Sequence, residues 1–116
     1  MIRGIGIDQV ELSRIESLLN KMSFAKRILT PKEYYVFERM TDKRQLEFLA
    51  GRFAAKEAFS KAWGTGIGGV SFQEIEILND TASGAPFVSE SPHGGACHVS
   101  ITHTRLAATA IVILEH

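Results

Sequence analysis

Apolar positions along the 116-residue chain fall into two regimes, helical spacing in the first half and alternation in the second. "IRGIGID" alternates apolar and small residues and predicts a short strand ending near Asp8. From Glu11 onward, Leu12, Ile15, Leu18, Leu19 and Met22 recur at three- and four-residue steps, the signature of one helix face. Ser23 is expected to stop that helix and to cap a short turn through "FAKRIL". "TPKEYYVFERM" carries a helix start: Thr30 at the N-cap, Pro31 at the first helical position and Glu33 completing a capping box. Asp42 opens the longest predicted helix, which runs to Trp63 and stops at Gly64, a residue suited to a left-handed cap. "GTGIGG" then places four glycines in six residues and reads as a loop.

Beyond this loop the period changes to two. "VSFQEIEIL" sets Ile75 and Ile77 opposite Glu74 and Glu76, "NDTASGAP" is turn chemistry, and "FVSE" is a short strand. "ACHVSITH" and "LAATAIVIL" are longer strands separated by so few residues that a hairpin is expected. In "SESPHGGACHV", Pro92 and the pair Gly94–Gly95 disfavour a helix interior by roughly 3 and 1 kcal/mol, so an irregular connection is expected there. The predicted architecture is one α+β domain over residues 1–116, with N-terminal helices packed on a mainly antiparallel β-sheet that the first strand joins.

Composition narrows the setting. With 45% hydrophobic and 22% charged residues the chain has the balance of an ordinary soluble domain. No window approaches the ~18 consecutive apolar residues of a membrane span, and "MIRGIGIDQV" does not read as a signal peptide. Cys97 is the sole cysteine, so no internal disulfide can form, and a cytoplasmic location is expected. Neither nucleic acid nor a membrane is an expected partner. The net charge of zero conceals an asymmetry. From Arg14 to Arg44 eight basic side chains face four acidic ones, leaving +4, and from Gln45 onward four face seven, leaving −3. The basic third either attracts an acidic partner or phosphorylated ligand, or is simply a solvated helix surface.

Charged residues inside apolar stretches are the candidates for chemistry. In "RFAAKEAFSKAWGTGIGG", Glu57 and Lys61 lie one turn apart beside Phe53, Ala54, Ala58, Phe59, Ala62 and Trp63. A carboxylate bordering such a surface needs a partner. Lys61 at i+4 can supply one, contributing roughly 0.2–0.5 kcal/mol. Alternatively, Glu57 holds a cation and Lys61 reaches a phosphate. Asp8 is equally ambiguous, a helix-start residue or a carboxylate at a strand end that can hold a hard cation. Two carboxylates do not cage Mg²⁺, but they suit a site completed by water and substrate phosphate oxygens. The glycine loop would then be a phosphate-approach element. In "HVSITHT" the pleat puts His98, Ser100 and Thr102 on one side, with Val99, Ile101 and His103 on the other. No nucleophile–histidine arrangement is legible, and the four histidines with Cys97 do not form a zinc pattern.

Taken together, "GIGIDQVELSRIE" and "GRFAAKEAFSKAWGTGIGG" resemble the two signatures of bacterial holo-[acyl-carrier-protein] synthases. "RILTPKEYYVFE", "FQEIEI" and "HVSITHT" fit the same family in the same order. The resemblance implies a 4′-phosphopantetheinyl transferase that moves the phosphopantetheine arm of coenzyme A onto a serine of apo acyl carrier protein in fatty acid biosynthesis. It further implies Mg²⁺ dependence and a homotrimer with active sites between subunits. By motif, Asp8 and Glu57 would be metal ligands, and Lys61 with Gly64, Thr65 and Gly66 would lie along the coenzyme A phosphates. His103, from a neighbouring subunit, would contact the nucleotide phosphates, and Lys43, Arg44 and Arg52 are further coenzyme A candidates. A metal-bound water, or a carboxylate acting through it, would take the serine proton. Acyl carrier proteins are acidic, so Arg14, Lys21 and Arg27, with Leu18 and Met22, would form their docking face. A catalytically silent coenzyme A or carrier-binding module is the rival of another class, and the joint presence of Asp8, Glu57, Lys61 and His103 argues against it.

Overall fold

The fold is organised around one long helix that is surrounded on nearly every side. The computed structural model describes all residues except Asn20 and Lys21, and all side chains except those and their neighbours Leu19 and Met22. In chain order come β1 (Ile2–Glu11), α1 (Leu12–Leu19), α2 (Met22–Ile28), α3 (Pro31–Phe37) and α4 (Asp42–Trp63). A 3₁₀ turn at Phe72–Glu74 leads into β2 (Glu76–Asn79), β3 (Pro86–Glu90), β4 (Cys97–His103) and β5 (Ala107–Glu115).

Within α4, twelve residues between Leu49 and Ala62 are buried, including Arg52, Lys56 and Ser60. A helix covered on all sides must be small-residued where other elements cross it. Ala54, Ala55, Ala58 and Ala62 meet that need. Gly64 ends the helix in the expected left-handed conformation, with φ 98°. The α3 start is also as expected. Thr30 Oγ1 accepts from the Glu33 amide, and Glu33 accepts from the Thr30 amide at 2.8 Å.

One face of α4 packs on a three-stranded antiparallel sheet of order β1-β5-β4. The N-terminal strand joins β5 along its length, with Asp8 opposite Ala110, and β4 and β5 form the expected hairpin. Ala108, Ala110, Val112 and Leu114 of β5 point inward and are fully buried. Gly4 and Gly6 of β1 pass so close to α4 that a Cβ on either would collide with the carbonyl oxygens of Ala62 and Ala58. These two glycines are therefore set by close approach of backbones rather than by a turn.

Four expectations need correction. β1 continues to Glu11, so Asp8 is in mid-strand rather than at a strand end or a helix start. Ser23 stops nothing, because it lies inside α2, where Phe24, Ala25 and Ile28 face the core. The strands form two sheets, since β2 and β3 pair only with each other, and "VSFQE" is mostly a loop and the 3₁₀ turn. Finally, Glu76 is buried like Ile75 and Ile77, because its carboxylate has partners in Thr30 Oγ1 at 2.6 Å and Ser89 Oγ at 2.8 Å. The segment around Pro92 and Gly94–Gly95 is irregular, as expected.

Candidate active site

Asp8 reaches the sheet face that meets α4 because it shares a side of β1 with Gly4 and Gly6. The absence of side chains at those glycines lets the strand lie against the helix, which brings Asp8 beside Glu57 and Lys61. Lys61 Nζ donates to Asp8 Oδ1 at 3.1 Å and to the Ile7 carbonyl at 3.0 Å. The ammonium side chain remains about half exposed at 54%, while Asp8 is mostly covered at 19%. Lys61 therefore spans helix and strand. Among the described residues its ion-pair partner is Asp8, not Glu57, which corrects the i+4 pairing expected from spacing.

Glu57 is partly buried, and its carboxyl is pushed above the usual range, chiefly by desolvation and secondly by the Asp8 charge. Lys61 and Arg14 pull in the other direction. Two carboxylates thus share one locality with two cations at its margin. The pair supplies hard oxygen donors but not a complete cage, and no cluster of three or more ligating side chains occurs among the described residues. That donor set fits Mg²⁺, which keeps several waters and shares substrate oxygens.

The loop after α4 is folded back on the helix. The amides of Gly64, Thr65 and Gly66 all donate to the Ser60 carbonyl, at 3.0, 3.2 and 3.1 Å. These donors cap the helix, so what the loop turns outward is its Thr65 side chain and its bare glycine surface.

A second group of predicted residues assembles elsewhere. Arg44, Arg52 and His103 line one cleft of about 460 Å³ together with Glu47, Phe48 and Asn79. His103 Nδ1 stands 3.6 Å from Glu47 Oε2. Arg52 is held by the Ile77 carbonyl at 3.0 Å and Asn79 Oδ1 at 2.6 Å, with its guanidinium 4.2 Å from the Phe48 ring centroid. Burial lowers its pKa to about 10. Lys43 is exposed on the first turn of α4 and is not among the cleft's lining residues. This cleft borders β4, whereas Asp8 is on β1, and these are the two edges of the sheet. A single chain does not bring the two groups together.

On the helical side, Arg14 and Arg27 are exposed and Leu18 is half-buried. Lys21 and the Met22 side chain lie outside the described residues. Arg14 sits 5.6 Å from the Phe53 ring centroid and Arg27 5.7 Å from that of Phe24, and the two rings are 6.2 Å apart.

Sequence reasoning missed a buried polar network behind the site. Lys56, adjacent to Glu57, is fully buried and donates to Glu33 Oε1 at 2.6 Å, the Ile28 carbonyl at 2.7 Å and the Phe72 carbonyl at 3.1 Å. Glu33 Oε2 accepts the Ile77 amide at 2.7 Å. The legible signal was a lysine set among the small and apolar residues Phe53, Ala54, Ala55, Ala58 and Phe59.

The matching family model describes the 4′-phosphopantetheinyl transferase superfamily and spans residues 4–112. The chain is 60% identical to a holo-[acyl-carrier-protein] synthase of Enterococcus faecalis, covering 99% of this chain and 98% of the relative. It is 55% identical to one of Streptococcus sanguinis, covering 99% and 96%. Its fold is similar to that of a Bacillus anthracis holo-(acyl-carrier-protein) synthase in complex with CoA (3′,5′-ADP). That match has a TM-score of 0.91 and 50% identity and covers 99% of this chain and 97% of the other. A Helicobacter pylori holo-[acyl-carrier-protein] synthase in complex with coenzyme A gives a TM-score of 0.83 at 34% identity, covering 96% and 99%. With signatures, fold and near full-length identity in agreement, the chain belongs to the 4′-phosphopantetheinyl transferase superfamily, among its holo-[acyl-carrier-protein] synthases.

Proposed function

We propose that this enzyme transfers the 4′-phosphopantetheine group of coenzyme A to a serine of apo acyl carrier protein, releasing adenosine 3′,5′-bisphosphate, in the cytoplasm. The observation that carries the reading is the meeting of Asp8 from β1 with Glu57 and Lys61 from α4. Asp8 and Glu57 would hold Mg²⁺, which when bound supplies positive charge to the pyrophosphate as its bond breaks. Lys61, half exposed on a flexible stem, can turn from the Ile7 carbonyl to a phosphate oxygen. The serine hydroxyl would lose its proton to a carboxylate of the pair acting through water. Gly64, Thr65 and Gly66 would give the phosphates an unobstructed wall.

Arg44, Arg52 and His103 would bind the nucleotide end of coenzyme A, with Lys43 at the cleft's outer margin. Because that cleft lies at the opposite sheet edge from Asp8, a complete site needs a second copy of the chain. The outward sheet face supports such assembly. Ile5 and Ile7, each 60% exposed, pair with Ile113 and Ile111 to make an apolar patch. A homotrimer is the closed arrangement proposed. Arg14, Leu18 and Arg27, with Lys21 and Met22, would receive the acidic carrier.

The test is to incubate the protein with coenzyme A, Mg²⁺ and apo carrier and to follow the carrier's mass. A gain of one phosphopantetheine group is expected, and no gain with folded enzyme would sink the reading.

A further inference from the structure

Beyond the arginines of the docking face, α2 ends over a separate, mostly apolar cleft of about 550 Å³, lined by Lys26, Arg27, Leu29, Pro31, Tyr34 and Gln73. Its floor is built. The Gln73 amide donates to the carbonyls of Lys26, Arg27 and Leu29 at 3.0, 3.2 and 2.8 Å, satisfying acceptors that the end of α2 would otherwise leave free. The Lys26 ammonium stands 5.6 Å from the Tyr34 ring centroid, which holds a cation at the rim. Two of the lining side chains are cationic and none is a carboxylate. The nearby acids are engaged elsewhere, Glu33 inward with Lys56 and Glu74 with the Ser71 amide at 2.9 Å.

A chain of side-chain contacts links the cleft to the active-site side of the molecule. Arg14, whose charge acts on Glu57, covers Phe53, Phe53 meets Phe24, and Phe24 is covered by Arg27, which lines the cleft. A line of cations on aromatic rings therefore runs from the carboxylate pair to an apolar recess. An acidic surface with one protruding apolar side chain matches both features at once. We propose that the Lys26–Tyr34 cleft is a second anchor for the acyl carrier protein, taking an apolar side chain of the carrier between flanking carboxylates. This rests on the carrier-modifying reading above and extends its docking face past Arg27.

The experiment compares the wild-type protein with Lys26→Glu at low ionic strength. In steady-state assays, Lys26→Glu should raise KM for the carrier about fivefold, as reversal of one rim charge does, with kcat and KM for coenzyme A within about twofold. The KM difference should shrink in high salt. In parallel, methyl and aromatic NMR of the wild-type protein is titrated with a carrier whose acceptor serine is alanine. The Leu29 methyl and Tyr34 ring signals should shift along with those of Leu18. Shifts at Leu18 alone, or an unchanged carrier KM in Lys26→Glu, would overturn the second anchor and leave the carrier reading intact. A changed KM for coenzyme A would assign the cleft to the nucleotide, and a changed oligomeric state to a second copy, each overturning it. Absence of transfer by the wild-type protein would remove both readings.

Discussion

Glu57, the proposed metal ligand on α4, carries a charge that its folded surroundings disfavour. Its carboxyl is raised above its ordinary value by desolvation and then by Asp8, so folding makes its ionised form less favourable than in the unfolded chain. A raised carboxyl stabilises the fold at acid pH, and that contribution is lost as pH rises through the raised value. At neutral pH, Glu57→Gln therefore removes an unfavourable charge. In chelator, its melting temperature should equal or exceed that of the wild-type protein, while transfer measured by carrier mass falls by at least about 100-fold. Asp8→Asn should abolish transfer similarly without unfolding the chain. Unfolding of either variant would return these residues to a purely structural role. The sequence already singled out both positions, but it paired Lys61 with Glu57. Spacing along a helix cannot foresee a strand arriving over it, and the strand presents both Asp8 and the Ile7 carbonyl to the ammonium.

At the scale of elements, the decisive contact is β1 on α4. A methyl at Gly6 would meet the Ala58 carbonyl, a backbone atom that cannot step aside. Gly6→Ala should lower unfolding free energy by about 1–3 kcal/mol in denaturant titration and depress transfer, because it pushes Asp8 away from Glu57. Gly94→Ala is the control, since a Cβ there meets nothing within 4 Å, and both readouts should stay at wild-type values. Behind α4, Lys56 ties α2, α3 and the 3₁₀ turn to the helix one residue from Glu57. Burial pulls its pKa down, and the Glu33 carboxylate opposes that shift. The helix starts at Thr30 and the stop at Gly64 were legible because caps are local chemistry. The split into two sheets and the helix through Ser23 were not, because pairing partners and core contacts are remote in sequence.

For the whole molecule, the question is why the carboxylate pair and the His103 cleft occupy opposite sheet edges. The proposed assembly through the outward face would account for the separation and would cover the exposed isoleucines Ile5 and Ile7. If the proposed trimer forms, Ile7→Lys should break it, giving a chain-sized species in light scattering where the wild-type protein is expected at three times the chain mass. Transfer should be lost although the monomer's own carboxylates are untouched. A trimeric or fully active Ile7→Lys would overturn shared sites.

Sequence alone determined the α+β class, the capped helices and the hairpin, because these depend on local periodicity and cap chemistry, and the family signatures singled out Asp8, Glu57, Lys61 and His103. Tertiary structure alone decided which charges meet. Gly4 and Gly6 lay β1 against α4, and this fixes Lys61 on Asp8. Lys56 finds Glu33 in the core, and Arg44 and His103 converge on one cleft at the far edge. Electrostatic partners are chosen by distance in space, and the strands and helices that pack around α4 set those distances.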